Sequence, residues 1–293
     1  MPSSPVLSVI IPVYNDPDGV RQTLSSLVAQ RDNPKFEIIV VDNNSTDETP
    51  QVIEEFEREH PDIVYGYEET DVQSSYAARN TGIENASGEI LAFIDADVTV
   101  ADTWVADISE KFENSSVDYI GCNVEMYVPD GKDTIWAQYD VTMGLPVQHY
   151  LNAKRFAPTC ALAVRRNVVE QVGLFDETLV SGGDKEFGRR VHNHNFKMGY
   201  VPDIVVKHPA RTSLDSLLKK ASRIGQGQAQ LWSRHDLATH PLSPFRLLPP
   251  SPQRIRNRTN SSQVPLPAYF LAYFLKLVQT VQAGKLYFQQ IRK

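Results

Sequence analysis

Two aspartates, Asp95 and Asp97, have the side chains and the sequence setting that binding a divalent cation requires. Asp95 and Asp97 are separated by Ala96 and directly follow the apolar run at residues 90–94. Carboxylates two residues apart at the end of a strand reach one cation if the chain bends there, and their oxygens suit Mg²⁺ and Mn²⁺. Such a cation holds a diphosphate and neutralises the charge that develops as it leaves. An isolated Asp-x-Asp is more often two solvated loop aspartates, so the rest of the chain decides.

A third aspartate, Asp184, follows Gly182 and Gly183 at the start of a predicted helix that ends at His192. A positioned carboxylate accepts the proton of a hydroxyl as that hydroxyl attacks. A free aspartate has a pKa of about 3.9 and is ionised at neutral pH, which suits a base. A position after a glycine turn also suits a helix N-cap, a common role of aspartate. The residues alone favour the cap.

The elements that must position these aspartates alternate along the first hundred residues. Apolar, β-branched runs predict four strands, at residues 7–14, 36–41, 63–67 and 90–94. Helices are predicted between them, beginning at Asp16–Pro17, at a capping box in residues 45–48 and at Ser75. Alternating strands and helices indicate βαβ units and a mostly parallel sheet covered on both faces.

Beyond residue 97 the pattern is less regular. Further strands are predicted over residues 119–127, 159–164 and 199–207, with helices over 104–112 and up to Val172 and His192. Residues 240–267 are rich in proline and serine and predict an irregular linker. In open sheets of this class, ligands bind beyond the carboxyl ends of the strands. Three predicted strands end there in polar runs, at residues 14–16, 42–44 and 95–97.

Five segments flank Asp95-Ala96-Asp97 in a fixed order: IPVYN at 11–15, VDNNSTD at 41–47, ARNTG at 78–82, VGLFDE at 172–177 and GGDKE at 182–186. This series resembles the family 2 glycosyltransferases, which are inverting enzymes, over about residues 6–208. The resemblance implies an α/β fold: a GT-A (Rossmann-like) nucleotide-sugar-binding domain with a mixed, mostly parallel central sheet. Residues 1–100 would form its nucleotide-sugar-binding half and residues 101–210 its acceptor-binding half.

The resemblance also implies a donor site at the first three motifs. Pro12, Val13 and Tyr14 would border the nucleotide base, with the Tyr14 ring stacked on it. Asp42 would bind the base or the ribose, and Arg79 would place a cation beside the nucleotide.

The remaining matched positions imply a metal site and a base. Asp95 would contact the ribose or the metal, with Ala96 in the same binding turn. Asp97 would bind the Mn²⁺ or Mg²⁺ that bridges the diphosphate, and Asp184 would be the general base that deprotonates the acceptor hydroxyl. Some GT-A enzymes place a histidine near His208 as a further ligand, and imidazole suits manganese-like ions. A surface histidine in a loop is the alternative.

The acceptor side departs from the family pattern. Where the family often has Glu-Asp, this chain has Gly183-Asp184, so the neighbouring carboxylate is missing or is supplied by Glu186. Thr159 and Cys160 stand where a small residue and an asparagine are common, and Cys160 is expected to be a small buried residue rather than a nucleophile. The sugar, the nucleotide base, the acceptor and the linkage all stay open.

The sequence thus predicts an inverting glycosyltransferase that moves a sugar from a UDP- or GDP-linked donor to a hydroxyl of a glycan or lipid-linked acceptor, as in polysaccharide biosynthesis. A sugar-nucleotide pyrophosphorylase is one alternative, but it needs a glycine-rich basic loop where Asn15-Asp16-Pro17 stands. A non-catalytic, membrane-associated nucleotide-sugar-binding protein is another. Retention of both Asp97 and Asp184 argues against it.

Composition and charge set the broad class. The 293 residues are 41% hydrophobic and 22% charged, with a net charge of −7, which is typical of a globular protein and excludes disordered, collagen-like and disulfide-scaffold classes. Two cysteines predict a reducing compartment, and the first residues lack a signal-peptide pattern. A cytoplasmic location is therefore expected.

The charge is unevenly divided. Residues 211–293 carry 13 basic and two acidic side chains, whereas residues 1–210 carry 16 basic and 34 acidic ones. Residues 211–293 are predicted to be a basic, partly amphipathic helical extension: apolar residues recur at helical spacing from Leu214 to Ile224, and residues 268–284 are apolar and aromatic. Its uninterrupted apolar run is too short to span a bilayer.

Three explanations of this extension stay open. It binds an anionic membrane surface, peripherally on the cytoplasmic face, or it packs on the catalytic domain, or it forms a homodimer. Nucleic acid is not an expected partner, because the acidic body would repel phosphate.

Overall fold

The computed structural model describes residues 5–31, 34–256 and 265–291. Within these residues, eight strands form one sheet: β1 Leu7–Val13, β2 Phe36–Asp42, β3 Val64–Glu68, β4 Ile90–Phe93, β5 Thr99–Val100, β6 Tyr119–Tyr127, β7 Leu162–Arg165 and β8 Met198–Pro209. The strand order is β3-β2-β1-β4-β7-β6-β8-β5. The sheet is mixed, as predicted.

The described α-helices connect and cover these strands: α1 Pro17–Val28, α2 Thr49–Glu59, α3 Ser75–Asn85, α4 Trp104–Glu113, α5 Ile135–Met143, α6 Val147–Lys154, α7 Arg166–Val172, α8 Gly183–Asn193, α9 Leu214–His235, α10 Pro252–Arg256 and α11 Leu266–Ile291.

Strand order places the candidate residues together. β1 pairs in parallel with both β2 and β4, and β2 pairs in parallel with β3. The strands β2 and β3 are thus added on one side of β1, and β4 is added on its other side. β7 is antiparallel to β4 and to β6. The carboxyl ends of β1, β2 and β4 therefore meet at a topological switch point, where open α/β sheets bind ligands.

Alternating side chains give the sheet two buried faces. Val9, Ile11 and Ile38 lie on one face, under α1, α2 and α4. Ile10 and Ile39 lie on the other, under α3, α7 and α8. Because both faces are covered, these strands are apolar at nearly every position, which explains why they read as continuous runs.

Three local predictions are wrong. Residues 45–48 form no capping box, because the Asp47 carboxylate instead accepts a hydrogen bond from the Thr49 amide at 3.0 Å and helix α2 begins at Thr49. Residues 159–161 form a 3-10 helix before β7 rather than part of a strand. The linker predicted at 240–267 contains a 3-10 turn, Pro244–Arg246, and helix α10; its residues 257–264 lie outside the described residues.

Helix α9, in the first half of the C-terminal extension, packs on helices α5 and α11. Leu217 and Ala221 of α9 form a small buried cluster with Tyr139 of α5 and Leu275 of α11. The apolar stripe of α9 therefore faces other helices, and the packing explanation fits this helix. No helix among the described residues is long and apolar enough to cross a bilayer.

The second half of α9 is bonded to the segment that precedes α8. The Gln230 side chain accepts a hydrogen bond from the Val180 amide at 2.8 Å and donates one to the Thr178 carbonyl at 2.9 Å. Leu231, buried to 4% exposure, joins the core under α8. The boundary at residue 210 stays a prediction, but α9 shares its core with the first 210 residues.

We expect Leu231→Ala to destabilise the whole protein by about 2–5 kcal/mol, because it leaves a cavity in a core shared with α8. The measurement is denaturant unfolding followed by circular dichroism. Leu247→Ala is the control, since Leu247 is 56% exposed, and it should change stability by less than about 0.5 kcal/mol. An unchanged unfolding midpoint for Leu231→Ala would show that α9 is not part of the cooperative unit.

Candidate active site

The carboxyl edge of β1 and β2 brings the first predicted donor residues side by side. Val13 and Asp42 are register partners. The Val13 side chain belongs to the core and the Tyr14 ring is 51% exposed. Asp42 is buried: its Oδ2 accepts a hydrogen bond from the Ser45 amide at 3.1 Å, and its Oδ1 has no partner among the described residues. A buried carboxylate oxygen without a donor is suited to a ligand hydroxyl or amide.

Arg79 joins α3 to the end of β4. Its guanidinium is 4% exposed and donates a 2.6 Å hydrogen bond to Asp95 Oδ1 and a 3.0 Å bond to the Ser75 carbonyl. Its Nε is buried without a partner among the described residues. The Arg79 guanidinium thus lies beside Asp95, the first carboxylate of the Asp-x-Asp run, and holds that carboxylate in place.

His208 lies within reach of the Asp-x-Asp run. Its Nε2 is 3.9 Å from Asp97 Oδ1, and its Nδ1 is 2.9 Å from the Pro209 carbonyl. A carbonyl only accepts, so Nδ1 carries a proton and Nε2 is the ring nitrogen that faces Asp97. The exposed loop histidine is therefore the wrong alternative, since His208 is 5% exposed.

The donor atoms at this point fit a hard divalent cation. One ligand atom each from Asp95, His208 and Cys160 lies within 4.8 Å of the other two. Burial raises the pKa of the Cys160 thiol well above its usual range, and a soft sulfur ligand does not suit a hard cation. Burial also raises the pKa of Asp97, with Asp95 adding to the effect and His208 opposing it. Clustered carboxylates and an imidazole suit Mn²⁺ or Mg²⁺.

Asp184 lies at the start of α8 but does not cap it. The N-cap is Gly182, at φ +90°, and the Asp184 Oδ1 accepts a 2.8 Å hydrogen bond from the Lys185 amide. The N-cap alternative is therefore wrong. Burial raises the pKa of Asp184 above its ordinary value, while Arg79 and Arg223 oppose the rise. A carboxylate with a raised pKa is a stronger base near neutral pH.

Tyr76 holds the turn before Asp184. Its hydroxyl accepts a 2.9 Å hydrogen bond from the Gly183 amide, and burial raises its pKa to about 12. A Cβ at Gly183 would lie 2.8 Å from the Tyr76 ring, so only glycine permits this approach. Because Tyr76 and Arg79 are one turn apart on α3, one helix positions both ends of the site.

A single cavity of about 1150 Å³ contains much of the predicted site. Pro12, Arg79, Asp95, Asp184 and His208 line it. Its volume lies slightly above the range of about 300–1,000 Å³ that is typical of small-molecule sites, so it accommodates a hexose together with a diphosphate.

The other predicted residues lie around this cavity rather than on its wall, namely Val13, Tyr14, Asp42, Ala96 and Asp97. The Ala96 side chain is in the core, and its carbonyl accepts a hydrogen bond from Thr23. Glu186 does not line the cavity either, because it pairs with Arg190 at 2.8 Å. It does not replace the carboxylate missing beside Asp184.

Sequence reasoning missed two contributors. Tyr76 carried only a helical signal, although its position three residues before Arg79 places both on one face of α3. Cys160 was expected to be buried, and it is, at 3% exposure, but nothing in the local pattern showed that it would lie beside Asp95.

Solved structures with this fold are glycosyltransferases of the GT-A type. The mannosyltransferase PcManGT from Pyrobaculum calidifontis, in complex with GDP-Man and Mn²⁺, is 21% identical, with a TM-score of 0.65 over 97% of this chain and 88% of that one. S. aureus TarS 1–349 in complex with UDP-GlcNAc is 18% identical, with a TM-score of 0.58 over 98% and 91% of the two chains. At these identities the likeness shows the fold, which confirms the expectation.

Sequence comparison gives the family. The profile of glycosyl transferase family 2 matches residues 8–173, and the chain belongs to that family. Glycosyltransferase AglE of Haloferax volcanii is 37% identical over 229 residues, which are 78% of this chain and 74% of that protein. Pre-mycofactocin glycosyltransferase of Mycobacterium tuberculosis is 29% identical over 249 residues, which are 82% of this chain and half of that protein. The protein is therefore a glycosyltransferase, and neither alternative activity is favoured.

We expect Tyr76→Phe to destabilise the protein by about 1–3 kcal/mol, because it leaves the buried Gly183 amide without an acceptor. Amide hydrogen exchange at Gly183 should accelerate with it. Tyr200→Phe is the control: it removes a 3.0 Å hydrogen bond to Asn123 and should leave exchange at Gly183 unchanged. Equal protection of Gly183 in Tyr76→Phe and the parent would contradict the positioning role.

Proposed function

We propose that the protein transfers a sugar from a UDP- or GDP-linked donor to a hydroxyl of a glycan or lipid-linked acceptor, with inversion at the anomeric carbon. The observation that carries the proposal is the common cavity of Asp95, His208 and Asp184. Because these three side chains line one cavity of about 1150 Å³, the cavity supports a cation site and a base that face the same bound sugar. A base and a leaving-group site on opposite sides of a sugar are what in-line displacement requires.

In the proposed reaction, the side chains of this protein bind the donor and move one proton. Asp42 and the exposed Tyr14 ring receive the nucleoside, and Arg79 holds Asp95 in place beside the diphosphate. Asp184 accepts the proton of the acceptor hydroxyl as its oxygen attacks the anomeric carbon. The bond from that carbon to the diphosphate oxygen breaks, and its electron pair leaves with the nucleoside diphosphate.

We assign the divalent cation to Asp97, His208 and Asp95. When bound, Mn²⁺ or Mg²⁺ neutralises the charge of the departing diphosphate. The proton on His208 Nδ1 is fixed by the Pro209 carbonyl at 2.9 Å, which leaves Nε2 free to coordinate. PcManGT was solved with Mn²⁺ and GDP-Man, which supports a divalent cation at this edge.

We expect Asp184→Asn to reduce transfer by about 10²–10⁴-fold, because the amide cannot accept the proton, while leaving donor binding unchanged.

We expect Asp97→Ala to abolish the Mn²⁺-dependent rise in melting temperature with UDP, GDP or their sugars. The measurements are thermal shift with and without Mn²⁺, and transfer to a panel of glycan and lipid-linked acceptors.

Asp203→Asn is the matched control, since Asp203 is exposed on β8, and it should change neither quantity. Transfer by Asp184→Asn at the parent rate would overturn the base. A retained Mn²⁺-dependent shift in Asp97→Ala would overturn the metal site.

We also propose that the protein is peripheral, acting in the cytoplasm at an anionic membrane surface. Exposed apolar side chains recur along one face of α11, at Leu266, Phe270, Phe274, Val281 and Phe288. The exposed Leu247 and Leu248 adjoin this helix, because their carbonyls accept hydrogen bonds from Tyr273 and Lys276. An apolar strip in a basic segment is typical of interfacial helices.

We expect Phe270→Ser with Phe274→Ser to weaken binding to vesicles of phosphatidylglycerol and phosphatidylcholine at least tenfold, because each buried phenyl contributes about 2 kcal/mol. Vesicle sedimentation measures the effect. Ile135→Ser, at a 73% exposed position on α5, is the control. Parent-like vesicle binding by the double variant would overturn the proposal. Conversion of a dimer to a monomer without a change in vesicle binding would assign the face to a homodimer.

A further inference from the structure

The cavity is basic although the catalytic body is acidic. Among the residues that line it, eight are lysine or arginine and four are aspartate. Residues 1–210 as a whole carry 16 basic against 34 acidic side chains, so the cations are concentrated where a ligand enters. A concave, low-dielectric wall of one sign raises the local concentration of the opposite charge. The cavity is therefore suited to anions.

Two of these cations share one carboxylate among the described residues. Asp140 is buried and accepts hydrogen bonds from Arg211 Nη1 at 3.3 Å and from Lys220 Nζ at 3.1 Å. One carboxylate thus serves two cations, which leaves one positive charge in excess. Burial and the charge of Arg211 lower the pKa of Lys220, as expected for an ammonium that lacks a full counter-charge.

Arg223 adds a further cation that has no ion-pair partner among the described residues. It lies three residues after Lys220 on α9, so the two side chains share a helix face, and both line the cavity. Among the described residues, Arg223 makes no hydrogen bond or ion pair with another side chain. Its charge is close enough to Asp184 to lower the pKa of that carboxyl.

Two glycines fix Arg223 in relation to the base. A Cβ at Gly227 would lie 2.2 Å from the Ser181 carbonyl oxygen, in the turn before Asp184, and a Cβ at Gly225 would lie 2.3 Å from the Gln279 carbonyl of α11. Helix α9 therefore passes in backbone contact between that turn and α11. Arg223, two residues before the first glycine, is carried by a rigid element next to Asp184.

We propose that Arg223, with Lys220, whose counterion Asp140 is shared with Arg211, binds a phosphate group of the acceptor. The lining carries eight lysine and arginine side chains against four aspartates, which suits a phosphomonoester with a charge of about −1.5 to −2, and guanidinium binds phosphate oxygens in a bidentate manner. The inference rests on the proposed function, because Asp184 marks where the acceptor hydroxyl lies. The donor diphosphate is assigned instead to the edge with Asp97 and His208.

The test measures binding to the full-length protein with its donor edge filled by Mn²⁺ and UDP or GDP. Glucose 1-phosphate is compared with glucose, and octyl phosphate with octyl glucoside, by isothermal titration calorimetry. We expect the phosphates to bind more tightly than their neutral partners. We expect Arg223→Gln to weaken phosphate binding at least tenfold and Arg223→Lys to weaken it less, because lysine keeps the charge but loses the bidentate geometry.

Lys219→Gln is the matched control. It removes the same charge from the same helix, but Lys219 pairs with Asp215 and does not line the cavity, so phosphate binding should not change. Dependence on Arg223 for either phosphate supports the site, and the tighter of the two identifies a sugar phosphate or a lipid phosphate as the source.

Two outcomes would overturn the inference. One is phosphate binding that is absent or equal in Arg223→Gln and the parent. The other is an equal loss of Mn²⁺-dependent UDP or GDP binding in Arg223→Gln, which would assign Arg223 to the donor. Failure of the proposed function is distinguishable, because it appears as missing nucleotide binding in the parent or as full transfer by Asp184→Asn.

Discussion

The contact of Tyr76 with Gly183 is the constraint on which the site depends. The switch point of the sheet places Asp95 and Asp97, but nothing in the sheet places Asp184, which enters about ninety residues later on its own helix. Helix α3 solves this problem by carrying Arg79, bonded to Asp95 at 2.6 Å, and Tyr76, bonded to the Gly183 amide at 2.9 Å. The distance between the proposed cation site and the proposed base is thus set by one turn of helix α3, which is the preorganisation that transfer chemistry needs.

Helix α9 of the C-terminal extension also holds the turn that precedes Asp184. Gln230 satisfies the backbone of residues 178–180, and Leu231 packs on Gly182, where a Cβ would approach it to 2.6 Å. The turn that presents Asp184 is therefore held by Tyr76 on one side and by α9 on the other. Gly182 in this turn has a φ of +90°. Because the turn is held from two sides, its backbone is restricted and the position of Asp184 is well defined.

The strands and the first helices were predictable because their signals are local. Buried runs, the Asp16 cap with its 3.0 Å bond to the Gly19 amide, and helix α3 all follow from neighbouring residues. Helices α5 and α6 were not predicted, since their polar and apolar residues alternate without a clear stripe. The capping box failed because Asp47, not Ser45, bonds the first turn. Cys160 beside Asp95 and Arg223 beside Asp184 depend on tertiary packing, which no local pattern contains.

The uneven charge of the chain matters at the cavity, where basic side chains of residues 211–293 lie against the acidic body. A nucleoside diphosphate sugar is an anion, and a body with 18 more acidic than basic side chains in residues 1–210 would repel it at long range. Screening confines that repulsion to about 8 Å at physiological ionic strength, so nearby charges decide what binds. Arg211, Lys220 and Arg223 come from the basic extension and line the cavity. The extension therefore adds cations to those that Arg79, Lys154 and Lys185 of the acidic body contribute, at the cavity where an anionic substrate is proposed to bind.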